Sequence, residues 1–103
     1  MLQNFRSYQL AVQFYQTTRA LRLRHGLTDQ LGRAASSIAL NLAEGSGKSS
    51  RKDRLRFYEI ALGSIRECEA IMDLTDNINP ATRSNLDQLA RHTFNLCKSL
   101  RRE

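Results

Sequence analysis

Residues 40–64 read LNLAEGSGKSSRKDRLRFYEIALGS, and the fold turns on whether GSGKSS closes a nucleotide-binding phosphate loop or only joins two helices. A phosphate loop of the Walker type carries a second glycine five positions before the one that precedes its lysine, so that a long stretch of backbone wraps the phosphates. Counting back from Gly47 and Lys48 reaches Leu42 instead. Such a loop also leaves a β-strand, whereas the preceding SSIALNLAEG, residues 36–45, spaces its apolar and small residues as a helix does. The stretch is therefore read as a helix-to-helix turn. Its two glycines, set beside the first turn of the next helix, leave the weaker expectation of backbone N–H groups that face an anion.

Outward from that turn, the chain reads as helix in both directions. One proline and five glycines, set against many Leu, Ala, Arg and Gln, supply little turn chemistry and much helix-forming material. Helix one is expected to start near Ser7 as N-cap and to carry Leu10, Phe14, Thr17 and Leu21 on one face before a break at His25-Gly26. Helix two follows Thr28, with Leu31, Ala35, Ile38 and Leu42 as its stripe, and stops at Gly45 or Gly47. Helix three opens at Ser49 or Ser50, presents Phe57, Ala61, Ser64, Cys68 and Ile71, and runs to about Asn77. Asn79-Pro80 reads as an N-cap with proline in the first helical position, after which Leu86, Leu89, Thr93, Leu96 and Leu100 mark helix four. Short connections favour antiparallel neighbours, so the expected fold is all-α: an up-down-up-down antiparallel four-helix bundle forming a single domain over residues 1–103.

A chain of 103 residues encloses one hydrophobic core. No apolar run approaches the ~20 residues needed to cross a bilayer, and MLQNFRSYQL at the N-terminus lacks a basic segment followed by an apolar one. A cytoplasmic protein without membrane contact is expected. Cys68 and Cys97 lack the paired spacing of a zinc site or redox motif and are read as reduced, buried thiols.

Helix three carries a second apolar row, Leu55, Tyr58, Leu62, Ile65 and Met72, where a bundle helix needs one. Helix two shows a further face of small residues, Gly32, Ser36, Ala39 and Ala43, against which another backbone fits closely. Together these point to self-association over a broadly buried monomer helix.

The net charge of +6 is unevenly placed. Residues 48–56 hold Lys48, Arg51, Lys52, Arg54 and Arg56 against Asp53, a net +4, while residues 57–79 hold Arg66 against Glu59, Glu67, Glu69, Asp73 and Asp76, a net −4. In an up-down bundle the start of helix three shares its end with the start of helix one and the finish of helix four. Arg6, Lys98, Arg101 and Arg102 therefore join the same rim. Arg19, Arg22 and Arg24 fall at the opposite end, where Asp73 and Asp76 are expected to offset them. A positive pole suits a polyanion such as RNA, because each cation near a phosphate releases counterions; a solvated surface that only keeps the chain soluble is the competing reading.

Catalytic constellations are poorly matched. A di-metal bundle needs Glu-x-x-His pairs, but Arg22 and Leu89 stand three before His25 and His92. Cys68 and His92 are expected at similar heights on adjacent helices, yet nothing orients the histidine or supplies an oxyanion site. Glu67 and Glu69 are two apart on a helix and diverge. No catalytic residue, metal site or cofactor is expected.

Residues 30–73, QLGRAASSIALNLAEGSGKSSRKDRLRFYEIALGSIRECEAIMD, resemble the four-helix-bundle protein family first met in intervening sequences of bacterial large-subunit ribosomal RNA genes. The marks are RAA, then N-x-A-E-G, a basic serine-containing turn, RF, and I-A-x-G-S followed by Glu. The flanking helices agree in length and character. Where Gly32 and Ala39 stand, the family usually shows arginine and proline; without that proline helix two is expected to be straighter. The resemblance implies a homopentamer and no catalytic activity. It also implies kinship with the accessory variability protein of diversity-generating retroelements, a similar basic bundle that partners nucleic acid and a reverse transcriptase.

The motif singles out Asn41, Glu44, Gly45, Arg56, Phe57, Gly63, Ser64 and Glu67, each with a structural reading. Glu44 near the end of helix two opposes the helix dipole, so it is expected to accept from the start of helix three or to pair with Arg54 or Arg56, with Asn41 joining that network. Gly45 is expected to supply the left-handed residue that ends helix two, and Gly63-Ser64 to let a helix pack closely on helix three. The functional expectation is a non-enzymatic homo-oligomer that contacts RNA or DNA through Arg6, Lys48, Arg51, Lys52, Arg54, Arg56, Lys98, Arg101 and Arg102. The alternative is an adaptor or scaffold that binds a protein partner.

Overall fold

Helix boundaries fall where the chain satisfies its orphan backbone groups. In the computed structural model, which describes residues 2–102, a 3-10 turn at Leu2–Asn4 leads into α1 (Arg6–Thr18), α2 (Leu27–Ser46), α3 (Arg51–Asp73) and α4 (Pro80–Arg101). Two caps match the sequence reading. The Ser50 hydroxyl accepts from the Asp53 N–H at 3.1 Å, and Asn79 Oδ1 accepts from the Ala81 N–H at 2.8 Å with Pro80 in the first turn. Asp53 in the first turn of α3 adds a charge favourable to the helix dipole.

Other boundaries differ from expectation. Phe5, not Ser7, occupies the N-cap of α1, and Ser7 is buried at the second helical position. That helix also stops at Thr18 rather than running on to His25. The Thr18 hydroxyl turns back to the Tyr15 carbonyl, Arg22 donates to the carbonyls of Arg19 and Leu21, and Leu21 packs on the core from the loop. Thr28 does not cap α2; Gly26 does, in left-handed conformation at φ 77°, while the Thr28 hydroxyl clasps the Leu23 N–H and carbonyl. The end of α3 comes at Asp73, four residues short of Asn77, which itself adopts φ 60° in the following loop.

Each helix packs on its sequence neighbours and α1 closes on α4, so the four helices form an antiparallel bundle of up-down-up-down order. The molecule measures 41 × 23 × 22 Å, and α3 alone, at 23 residues and 1.5 Å per residue, spans about 35 Å of the long axis. Leu10 and Phe14, then Leu31, Ile38 and Leu42, then Ile65 and Met72, then Leu86 and Leu89 fill the core. On α3 the buried face is wider than one stripe: Tyr58, Ile65 and Met72 of the second row are enclosed along with Ala61, Cys68 and Ile71, whereas Phe57 and Ser64 are only half-buried. This helix packs between α2 and α4 and needs both rows for itself, so the second row is not a free association surface.

The seam between α2 and α3 is set by two features. Ser64 Oγ donates to Ser37 Oγ at 2.9 Å, and the Asn41 side chain donates to the Ser37 carbonyl at 2.9 Å, tying mid-helix positions together. Nearer the turn, Gly45 is inside α2 rather than its left-handed terminus; the helix ends at Ser46 with Gly47 as C-cap in right-handed conformation. The requirement for glycine at 45 is steric, since a Cβ there would stand 2.6 Å from Tyr58 Cε1 and 3.1 Å from Phe57 Cβ. Gly63 is the reverse case: it is exposed, and nothing in the subunit lies within 4 Å of an added Cβ. No helix of the subunit packs closely on it.

These two glycines predict opposite outcomes in urea denaturation. Gly45→Ala forces the Tyr58 ring aside and is expected to cost about 1–3 kcal/mol. Gly63→Ala gains helix propensity without a clash and is expected to stabilise by about 0.5–1 kcal/mol.

Candidate nucleic-acid interface

The alternation of helix direction brings the starts of α1 and α3 to the same end as the finishes of α2 and α4. Three contacts fix this. The Phe5 and Tyr58 rings meet at 5.9 Å between centroids, Gly45 lies under Tyr58, and Arg101 near the end of α4 donates to the Glu59 carboxylate on α3. Arg6 opens α1, Lys48 lies in the turn, Arg51, Lys52, Arg54 and Arg56 occupy the first two turns of α3, and Lys98, Arg101 and Arg102 close α4. All nine cations therefore lie towards one pole.

Their surroundings differ. Lys48 Nζ sits 3.1 Å from Glu44, one helical turn back, so Glu44 pairs across the end of its own helix instead of reaching Arg54 or Arg56. Asn41 does not join it, being committed to Ser37. Lys48 also lies 5.3 Å from the centroid of Phe57, with the Arg56 guanidinium 4.6 Å from the same centroid. The ring's negative face thus reduces the repulsion between two neighbouring cations. Arg101 is held by Glu59, which keeps its guanidinium pKa above the ordinary value. Lys52 is exposed in the first turn of α3. The Gly47 and Lys48 N–H groups do not face an anion: they close the end of α2 by donating to the carbonyls of Glu44 and Gly45 at 3.2 and 3.1 Å.

Arg54 is the exception among the cations, because it turns inward. It is half-buried, and its Nε–H is enclosed with no hydrogen-bond partner. Together with Leu2, Phe5, Ser46 and Tyr58 it lines a cavity of about 230 Å³. Burial raises the Tyr58 phenol above its usual 10.0 while the Arg54 charge pulls the other way, so the hydroxyl keeps its proton at neutral pH. Sequence reading placed Tyr58 in an apolar row and gave Phe5 and Ser46 no role, since only the closed bundle brings these three helix ends together.

At the opposite end, Asp73 pairs with Arg83 at 3.0 Å rather than offsetting the cluster at the tail of α1. Arg22, Arg24 and His25 line a cavity of about 420 Å³ with Leu74, Asp76 and Asn77 of the other loop. Glu67 is exposed on α3. Gly32 has open space for a side chain, and α2 runs uninterrupted through Ala39.

Cys68 and His92 form no dyad: Cys68 is fully enclosed while His92 is exposed on α4. Burial, with Glu67 and Glu69 adding to it, pushes the Cys68 thiol up to about 12, and burial raises Cys97 as well. Both are free thiols. No helix among the described residues is long and apolar enough to cross a membrane.

The family model described as 23S rRNA-intervening sequence protein matches residues 5–102, and the chain belongs to that family. No curated protein matches it.

Because the folded Cys68 pKa lies above the ordinary thiol value of 9.0, its contribution to stability is complete below pH 9 and is lost as pH rises through about 12. Urea midpoints are expected to fall across that alkaline window and to fall less in Cys68→Ala. At pH 8 both cysteines are expected to resist iodoacetamide until the protein is unfolded, as read by mass spectrometry.

Proposed function

We propose that this member of the 23S rRNA-intervening sequence protein family is a non-enzymatic, self-associating bundle whose basic pole binds RNA or another nucleic acid in the cytoplasm. The observation that carries the reading is the convergence of nine cationic residues from four helix ends on one tip of a 41 Å rod. Such a tip attracts a phosphate backbone from any direction and reads no groove, because no helix face or ribbon at this end has the form that enters one. Affinity without strong sequence preference follows from that geometry.

Self-association is supported by apolar side chains on the outer side of the α2–α3 pair. The Ser37–Ser64 contact fixes the register of these antiparallel helices. One turn from Ser37 towards the pole is Leu40, 68% exposed, and one turn from Ser64 in the same direction is Ile60, 44% exposed. The two are thus level, beside the small residues Ala43 and Gly63. A homopentamer is the assembly that resemblance suggests. The same apolar residues favour the second reading, an adaptor that offers this flank to a different protein.

Charge reversal of Lys48, Arg51 and Lys52 to Glu is expected to weaken binding of single-stranded RNA at least tenfold in fluorescence anisotropy while leaving oligomer size unchanged. It should also flatten the slope of log K against log salt by about 0.7 for each phosphate that the variant no longer neutralises. Indifference to both charge and salt would favour the adaptor. Leu40→Lys with Ile60→Lys is expected to reduce the particle mass in light scattering with the helical circular dichroism retained; an unchanged mass would place any self-contact elsewhere.

A further inference from the structure

The cavity between the ends of α1, α2 and α3 lies within the basic pole and differs chemically from the cations around it. Two of its walls are aromatic, Phe5 and Tyr58, tilted 53° to each other. Leu2 supplies an apolar side and Ser46 a small one. Ser46 spends its hydroxyl on the Ala43 carbonyl at 2.8 Å, so it offers the cavity little polarity. The charged group among the lining residues is the Arg54 guanidinium.

We propose that this cavity takes one unstacked nucleobase of an RNA strand whose phosphates lie on the surrounding cations. The proposal rests on the reading of the pole as an RNA-binding end. The base presents its face to Phe5 and the edge of Tyr58, and a ring nitrogen or carbonyl oxygen accepts from Arg54. Size agrees: about 230 Å³ falls below the ~300–1,000 Å³ of pockets that enclose drug-sized ligands, so the site admits one planar ring and leaves the sugar and phosphate outside. Those outer parts then reach Arg6 at the start of α1 and Lys52 in the first turn of α3, which are both exposed. A base enters only if it is free of its stack, so the pole selects single strands, loops or ends over continuous duplex.

The test compares a fluorescent single-stranded oligoadenylate with an abasic ribose-phosphate oligomer of the same length and charge, and with a duplex, all by anisotropy at one salt concentration. The wild-type chain is expected to bind the base-bearing strand about tenfold tighter than the abasic one, in line with one base stacked on an aromatic side chain. Ser46→Leu, which fills the cavity, is expected to abolish that preference while salt-dependent binding of the abasic strand persists, and Arg54→Met, which keeps the stem and removes the donors, is expected to abolish the preference too. Circular dichroism confirms that each variant is folded. Equal binding of the two strands, or a preference that survives Ser46→Leu, overturns the base pocket and leaves the basic pole standing; the former result is also what a cavity built for an aromatic side chain of a protein partner would give. Failure of wild type to bind any of the three removes the pole as an RNA site and the pocket with it.

Discussion

A tyrosine ring laid against a bare Cα organises this bundle at its basic end. Gly45 offers no side chain, and the Tyr58 ring occupies the space a Cβ would take. The finish of α2 is thereby drawn against the start of α3, and Phe5 packs on the same ring, 5.9 Å between centroids. With the seam that tight, the connection at residues 47–50 has no room to fold inward and its cations are displayed to solvent. Magnitudes show which effect governs. The surface pairs Glu44–Lys48 and Glu59–Arg101 each contribute at most about 1 kcal/mol, whereas burying an aromatic side chain such as Tyr58 contributes about 1.5–3 kcal/mol. The apolar seam holds the like charges together; the ion pairs and the Phe57 ring moderate the repulsion that results.

Legibility in the sequence followed the range of the interaction concerned. Side-chain caps act within three residues, and Ser50 and Asn79 were readable from their letters alone. Periodicity gave the stripes of α2 and the inner part of α4, because each of these helices buries a single face. On α3 both apolar rows show in the letters, but only the fold tells that Tyr58, Ile65 and Met72 of the second row are enclosed in the core rather than offered to another copy. The early end of α1 was hidden for another reason: Leu21 keeps the spacing of a helix while packing on the core from a loop that Thr28 and Arg22 hold in place. Gly45 was assigned a conformational role from its place near a helix end, and only the approach of Tyr58, 13 positions along the chain, shows that its role is steric. That the nine cations share one end follows from the order of the helices alone. The cavity beside them joins residues 2 to 58 and has no local signal at all.

The two ends of the rod act as electrically separate surfaces. They lie some 35 Å apart along α3, several times the Debye length of about 8–10 Å at physiological salt. The acidic second half of α3 therefore does little to neutralise the basic first half as seen by a ligand at the pole. It serves its own end, where Asp73 meets Arg83 and Asp76 faces the loop arginines across a cavity. A modest net charge of +6 thus understates the field at the tip.

Leu40 and Ile60 lie on the flank between these ends, and in the proposed reading that position links assembly to binding. Contacts made along the flank leave the pole open. Copies related by a rotation axis parallel to the rods bring equivalent tips to one rim, whereas copies packed head to tail alternate basic and acidic ends and cancel the field. Only the first arrangement lets one RNA strand touch several poles. Each added pole then engages at a high effective concentration, so affinity grows with subunit number while every individual contact stays weak and salt-sensitive. On the proposed reading, a single tip that holds one base and a few phosphates would gain a length-dependent preference for extended strands in that way, without any subunit having to read sequence.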